Sequence, residues 1–354
     1  MIRTGALHCW RGVVFALPGL WVLAVVVWEY LSPLAAHLVP LLAATLALAC
    51  AGGYLTGRRG RRLADELERT KEIALTAQRA LLRPLPSRLD GIALAGGHLS
   101  AEEGVLVGGD LYDVQSTPHG VRIIMGDVRG HGLPALGTVA ALLGSFRDAA
   151  HDEGELAGVL RRLERAFHRH LRDRSRAEQP AAGDALPAHR TADTEEFATV
   201  LLLEVREHGE VMALNCGHPW PHRLTGTPDG ARTTALAPCE PLPPLGMFPL
   251  PADVPLLALT RLQPGDGLVL HTDGAEDARD AHGEFFPFAG ALAEAARPAA
   301  PAPAAVVARL QDALLRHTGG LLSDDFALLA LRNDRERVPA QRPSAPLVRS
   351  CLRP

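Results

Sequence analysis

Apolar runs in this chain repeatedly start or stop on an aspartate. Asp127 directly follows VRIIMG. Asp273 directly follows LVLHT and precedes Gly274, and Asp324 and Asp325 directly precede FALLAL. Asp110 lies in VGGDLYD, just after Val105–Val107. Short runs of aliphatic residues bounded by glycine and aspartate read as buried strands. A carboxylate at the end of such a strand is firmly held and partly desolvated. A single one is ordinarily a turn residue or a cap. Four strand ends that carry one are harder to assign to turns alone. If those ends converge, the charges repel one another unless cations sit among them. Oxygen-only donors suit Mg2+ or Mn2+ rather than zinc. Two such ions about 4 Å apart activate water for phosphoryl transfer. Convergence is the expectation; four unrelated turns are its alternative.

The rest of the segment from about Leu89 fits that picture. Strands are expected at Ile92–Leu99, Val121–Met125, Ala198–Val205, Val211–Cys216, Pro255–Leu262, Gly267–Thr272 and Phe326–Arg332. Helical periodicity covers Leu133–His151, Glu155–Leu171, Phe288–Arg297 and Ala304–His317. Strands come in bursts with helices between the bursts, which predicts α+β with antiparallel sheets rather than strict βαβ alternation. Residues 172–196 are polar and read as a flexible surface insert. The proline-rich tail, residues 336–354, reads as disordered. A P-loop, a GxGxxG opening a helix, GxSxG and HExxH are all absent, so the common nucleotide, serine-hydrolase and zinc-protease readings have no support.

The N-terminal region has a different character. VVFALPGLWVLAVVVWEYL (Val13–Leu31) and LAAHLVPLLAATLALACAGGYL (Leu34–Leu55) each approach the ~20 apolar residues that span a bilayer. Ser32-Pro33 separates them, and Arg58, Arg59, Arg61 and Arg62 follow the second. With Arg3 and Arg11 before the first run, these charges predict a transmembrane hairpin over residues 1–57, spans at about 13–31 and 34–55, multi-pass in the cell membrane. The N-terminus and the following domain would both be cytoplasmic. Residues 58–86 read as a linker helix. Leu63, Leu67, Thr70, Ala74, Ala77 and Leu81 alternate at spacings of four and three, a short heptad seam that fits either a plain connector or a homodimeric coiled coil. The net charge of −4 argues against a nucleic-acid partner. Five scattered cysteines without a CxxC exclude a disulfide framework or a cysteine zinc site.

The motifs VGGDLYDV, GDVRGHGLPA, FATVLLLEV, NCGHPWPHRL, LPPLGM, LQPGDGLVLHTDGAEDARDAHGEFF and DDFALLAL occur in an order that resembles the bacterial PPM-type serine/threonine phosphatases, in the SpoIIE-like branch of the protein phosphatase 2C-type enzymes. AQRALLRPLP looks like the segment that leads into that domain. The resemblance covers roughly Ala77 to Arg332 and places a phosphatase domain at residues 87–335. It implies an αββα sandwich, two packed antiparallel sheets flanked by helices, with two Mn2+ or Mg2+ at one end.

Carried over by position, Asp127 would bridge both metals. Asp110 and the carbonyl of Val128 would hold one, and Asp273 and Asp324 the other. A metal-activated hydroxide would attack phosphoserine or phosphothreonine directly. Asp113 and Asp325 are candidates to orient the metal shell, and His131 in RGHG is a candidate proton donor to the leaving oxygen. His218 and His271 read as structural. Arg129 stands where serine is common in the family, and no arginine is obviously placed to bind substrate phosphate. The resemblance implies a phosphorylated regulatory protein as substrate, an anti-anti-sigma factor being the family's usual one. A pseudophosphatase that binds a phosphoprotein without turnover is the alternative. A metal-dependent phosphodiesterase is a third reading, disfavoured by the missing nucleotide motifs.

Overall fold

A computed structural model describes residues 19–28, 35–99, 108–178, 196–227, 230–297, 302–322 and 324–335. The chain divides into two compact units, Met1–Thr70 and Lys71–Pro354.

In the first unit, residues 19–28 are helical, and a long helix α1 (Ala35–Leu81) begins. Helix α1 runs straight through Gly52, Gly53 and Gly57, where the sequence suggests an end. Thr56 Oγ1 donates to the carbonyls of Gly52 and Gly53 there. Among the described residues, no helix is long and apolar enough to cross a membrane. This overturns the expected transmembrane hairpin and, with it, the placement in the cell membrane with cytoplasmic ends. Of the first run, residues 19–28 are described, and they are helical. The second run is diluted by alanine, threonine and glycine, and α1 then carries Arg58, Arg59 and Arg61. The remainder of the first run lies outside the described residues.

In the second unit, all paired strands are antiparallel. One sheet has the order β1 (Arg88–Leu89), β2 (Ile92–Leu99), β11 (Phe326–Asn333), β10 (Gly267–His271), β7 (His222–Thr227), β8 (Gly230–Ala235). The other has the order β3 (Asp110–Thr117), β4 (Gly120–Val128), β5 (Ala198–Val205), β6 (Glu210–Cys216), β9 (Leu257–Arg261). Helices α2 (Gly132–Asp152) and α3 (Leu156–Glu178) pack on the second sheet, and α5 (Phe288–Ala295) and α6 (Pro303–His317) on the first. A single-turn helix, α4 (Gly274–Asp277), follows β10.

Strand alternation explains the layering. In β11, Ala327, Leu329 and Leu331 join the core between the sheets, whereas Phe326, Leu328 and Ala330 join the core under α5 and α6. Leu268 and Leu270 of β10 likewise face the first core, and Val269 the second. A strand covered on both faces must be apolar at every position, which is why FALLAL reads as a continuous run. Strand β3, by contrast, reads DLYDVQST and has no such run.

The last two members of the expected heptad seam, Ala77 and Leu81, pack against Leu136 of α2. Helix α3 continues to Glu178, so the start of the expected insert is helical; residues 179–195 lie outside the described residues, as does the expected tail from residue 336.

Strands β4 and β5 of the second sheet are tied to α2 by one buried arginine. Arg122 is fully buried, and its Nε and NH2 donate to Glu204 Oε2 at 2.9 and 2.7 Å. Its remaining donors reach the carbonyls of Ala150, Glu153 and Gly154 at the end of α2. Removing the guanidinium leaves Glu204 only its Arg206 partner, on Oε1, and deprives three carbonyls of their donor. Arg122→Met is therefore expected to lower stability by about 3 kcal/mol. Arg122→Met with Glu204→Met should recover at least half of that loss, measured by urea unfolding.

Candidate metal centre

Strand register builds the centre. Asp110 opens β3 and is the Cα partner of Asp127 near the end of β4. The approach of β3 depends on two glycines. A Cβ on Gly109 would collide with the Val128 carbonyl and crowd Asp127 Oδ1, and one on Gly108 would strike the Asp325 carboxylate. Gly108 N instead donates to Asp325 Oδ2 at 3.0 Å. Asp273 follows β10 at the start of α4, and Asp324 and Asp325 lead into β11, which pairs with β10. Thr272 links the two sheets here: its Oγ1 donates to Asp110 Oδ2 at 3.1 Å and accepts from Ala327 N at 2.9 Å.

The carboxylates act on one another. Burial raises the pKa of Asp110 well above the ordinary carboxylate value, and the negative charges of Asp127, Asp325 and Asp324 raise it further. Burial, then Asp273, Asp324 and Asp325, push Asp127 up to about 7. Asp273 is raised by burial, Asp324 and Asp277. Asp324 is raised by burial, Asp325 and Asp277. The four expected strand ends therefore do converge to within electrostatic reach. Among the described residues, no three Asp, Glu, His or Cys side chains are gathered tightly enough to hold a metal ion as they stand. The donor chemistry nevertheless fits a hard divalent cation: several buried carboxylate oxygens, crowded by their own charge, beside a backbone carbonyl and a glycine with no room for a side chain.

Other expected residues fall into different places. Asp113 lies three positions from Asp110, on the opposite face of β3. Its Oδ2 accepts from Arg147 Nε at 2.6 Å, and Arg147 NH2 donates to the Leu81 carbonyl at 2.9 Å. It braces the end of α1 rather than the metal centre. Asp325 is buried on the Gly108 amide, while Asp324 is exposed and its Oδ1 accepts from Asp325 N. His131 is exposed, extended, and the residue that caps α2, between Gly130 at φ 104° and Gly132 at φ 79°. Its side chain caps nothing.

His218 Nδ1 lies 2.9 Å from Thr199 Oγ1, which accepts from Asp127 N at 3.2 Å. His218 thus supports the strand from beneath. His271 is buried against Phe288 with ring centroids 4.1 Å apart, a packing position. Cys216 is buried, and burial pushes its thiol up to about 12, so it is no nucleophile.

Two contributors have no sequence signal. His98, at the end of β2, places Nε2 3.4 Å from Asp325 Oδ2 and 3.9 Å from Asp110 Oδ2. Thr272 is one residue from Asp273, but only the pairing of β10 with β11 brings it to Asp110.

The weakened acidity of Asp127 has a measurable consequence without metal. Its carboxyl holds a proton to about pH 7 in the folded chain, against 3.8 for an ordinary aspartate. Folding therefore favours the protonated group. That stability is full below about pH 4 and is lost as pH rises through 7. In chelator, Asp127→Asn should match wild type near pH 4 and exceed it at pH 8 by about 4 kcal/mol. Thermal melts across that range test this; a pH-independent difference contradicts it. Adding manganese should reverse the order, because only the wild type gains from a bound cation.

The model of the stage II sporulation protein E (SpoIIE) family matches residues 117–334, more than half of the chain. Among solved structures, the RsbU and RsbW domains of a Mycobacterium tuberculosis protein are 25% identical, with a TM-score of 0.49, over 68% of this chain and 60% of that one. The PP2C phosphatase domain of Bacillus subtilis SpoIIE, with a fragment of its regulatory domain, is 16% identical at a TM-score of 0.50, over 69% of this chain and 64% of that one. The chain thus spans less than two thirds of either. The SiaA-PP2C domain of Pseudomonas aeruginosa is 19% identical at a TM-score of 0.51, over 78% of this chain and 98% of that one. The two PP2C-domain likenesses establish the fold: two antiparallel sheets with helices on their outer faces. With residues 117–334 matched to its model, the chain belongs to the SpoIIE family of PP2C-type phosphatase domains.

Proposed function

We propose that residues 87–335 form a metal-dependent phosphatase that hydrolyses phosphoserine or phosphothreonine on a regulatory protein. The observation that carries this reading is the mutual crowding of Asp110, Asp127, Asp273 and Asp324 inside a SpoIIE-family domain. Carboxylates so placed favour the binding of Mg2+ or Mn2+ over any single turn role. One of the solved relatives, RsbX, is described in complex with magnesium, which makes such a cation a reasonable expectation for this chain.

In this reading, Asp110, Asp127, Asp273, Asp324 and the Val128 carbonyl hold two divalent cations. Bound there, the cations supply water activation and neutralise the charge of the phosphate ester. Asp325 does not bind metal but fixes Gly108 and, with His98, the entry of β3. Thr272 holds Asp110 in place. His131, exposed at the start of α2 and four residues after Asp127, gives a proton to the departing serine or threonine oxygen. No side chain forms a covalent bond to phosphorus, in keeping with the inert Cys216. The protein substrate we favour is an anti-anti-sigma factor, from the family resemblance.

Phosphate release from a phosphoserine protein, with the full chain in manganese, magnesium or chelator, tests the reading. Release should require metal and fall at least about a hundredfold in both Asp127→Asn and Asp273→Asn. His131→Ala should lower kcat by about a hundredfold with KM little changed. A folded chain that binds manganese yet releases no phosphate would instead support a pseudophosphatase. Preferred hydrolysis of a cyclic dinucleotide would support a phosphodiesterase.

A further inference from the structure

The groove between α2 and α3 carries charge that the fold itself does not use. Helix α3 buries Leu156, Val159, Leu160, Leu163 and Phe167 in the core. Its opposite ridge presents Arg161, Arg165 and Arg169 at successive i, i+4 positions, then Arg172. Like charges at that spacing cost a helix a few tenths of a kcal/mol per pair. Two acids line the same cleft, Asp148 on α2 and Asp173 one turn beyond Arg169, and neither is within ion-pair distance of Arg165 or Arg169; Asp173 pairs with Arg176. Glu164 is turned away, its Oε1 accepting from Leu250 N at 2.8 Å. Asp152 and Glu153 are taken by Arg162. Among the described residues, Arg165 and Arg169 have no carboxylate within ion-pair distance; both are exposed.

These arginines line a cleft of about 550 Å³ whose other wall is Ala141, Ser145 and Asp148 of α2. At one end, His170 packs against Gly137 with its Nε2 buried and unpartnered. Helix α2 starts one residue after His131. At 1.5 Å per residue, Gly137 lies about 8 Å along the axis from that start and Asp148 about 24 Å.

We propose that this groove docks an acidic segment of the protein substrate, about three residues away in sequence from the phosphorylated side chain. This rests on the phosphatase reading for its purpose, but not for its binding chemistry. An extended chain covers about 3.3 Å per residue, so three residues bridge the catalytic loop to the near end of the groove. Six further acidic residues then run beside Arg169 and Arg165. Carboxylates on the segment meet guanidiniums that have no partner within the chain. The site thereby selects substrates by charge outside the reaction centre.

The test uses phosphoserine peptides with six glutamates placed three residues to either side of the phosphoserine, against glutamine controls. With the full chain in manganese, kcat/KM for one glutamate peptide should exceed its control by about tenfold at about 50 mM salt, and the preference should collapse at about 500 mM. Arg165→Glu with Arg169→Glu should abolish the preference while leaving turnover of p-nitrophenyl phosphate unchanged. The double variant relieves like-charge pairs, so its melting temperature should not fall.

No preference in wild type, or one that survives the double variant, overturns the proposal. If the chain hydrolyses nothing, the phosphatase reading fails separately. Fluorescence anisotropy with the labelled, unphosphorylated glutamate peptide then decides the groove: binding lost in the double variant supports it, and no binding overturns it. Tighter groove-dependent binding of an oligothymidylate or of anionic lipid vesicles than of the glutamate peptide also overturns it.

Discussion

Repulsion among crowded carboxylates, from the buried Asp110 to the exposed Asp324, is the constraint around which this domain is organised. Four aspartates sit where burial and one another's charge oppose ionisation, and Asp127 is pushed up to about 7 as a result. A fold gains nothing in stability from such an arrangement on its own. It persists because rigid, fully hydrogen-bonded strands fix each carboxylate from behind, and because a divalent cation can convert the repulsion into binding energy. The helices, the glycine-lined approach of β3 and the Thr272 bridge all serve that placement.

The support is built from ordinary parts. Strands β10 and β11 are apolar on both faces and lie between two cores, so the ends that carry Asp273, Asp324 and Asp325 cannot drift. Strands β3 and β4 pair Asp110 with Asp127 directly. The buried Arg122 ties β4 and β5 to the far end of α2, whose first residue follows His131. Asp113, Arg147 and the Leu81 carbonyl fasten the end of α1 to the same sheet. Gln78 of α1 lies 3.4 Å from His98, which in turn meets Asp325. The leading helix is thus in contact with the residues behind the carboxylates.

Much of this was legible in the residues. Strands β2 and β5 match their expected bounds, because an apolar run with turn residues at both ends defines a buried strand. The carboxylates were visible for the same reason: each interrupts or ends such a run. What failed did so for identifiable causes. Strand β3 is half polar, and its residues show their pairing only against β4. Asp113 shares a motif with Asp110, but a spacing of three on a strand puts it on the other face, where it meets Arg147. His98 and Thr272 reach the centre through long-range pairing that no local pattern encodes. The N-terminal apolar runs suggested a membrane hairpin by composition, yet among the described residues no helix is both long and apolar enough to cross a bilayer.

Titrating the full chain with manganese, by calorimetry at pH 7.5 alongside Asp127→Asn and Asp324→Asn, tests the central claim most directly. The account predicts that wild type takes up two ions per chain with release of protons. Asp127→Asn should lose both, and Asp324→Asn one. Absence of binding to a folded chain, or uptake unchanged in Asp127→Asn, would contradict it.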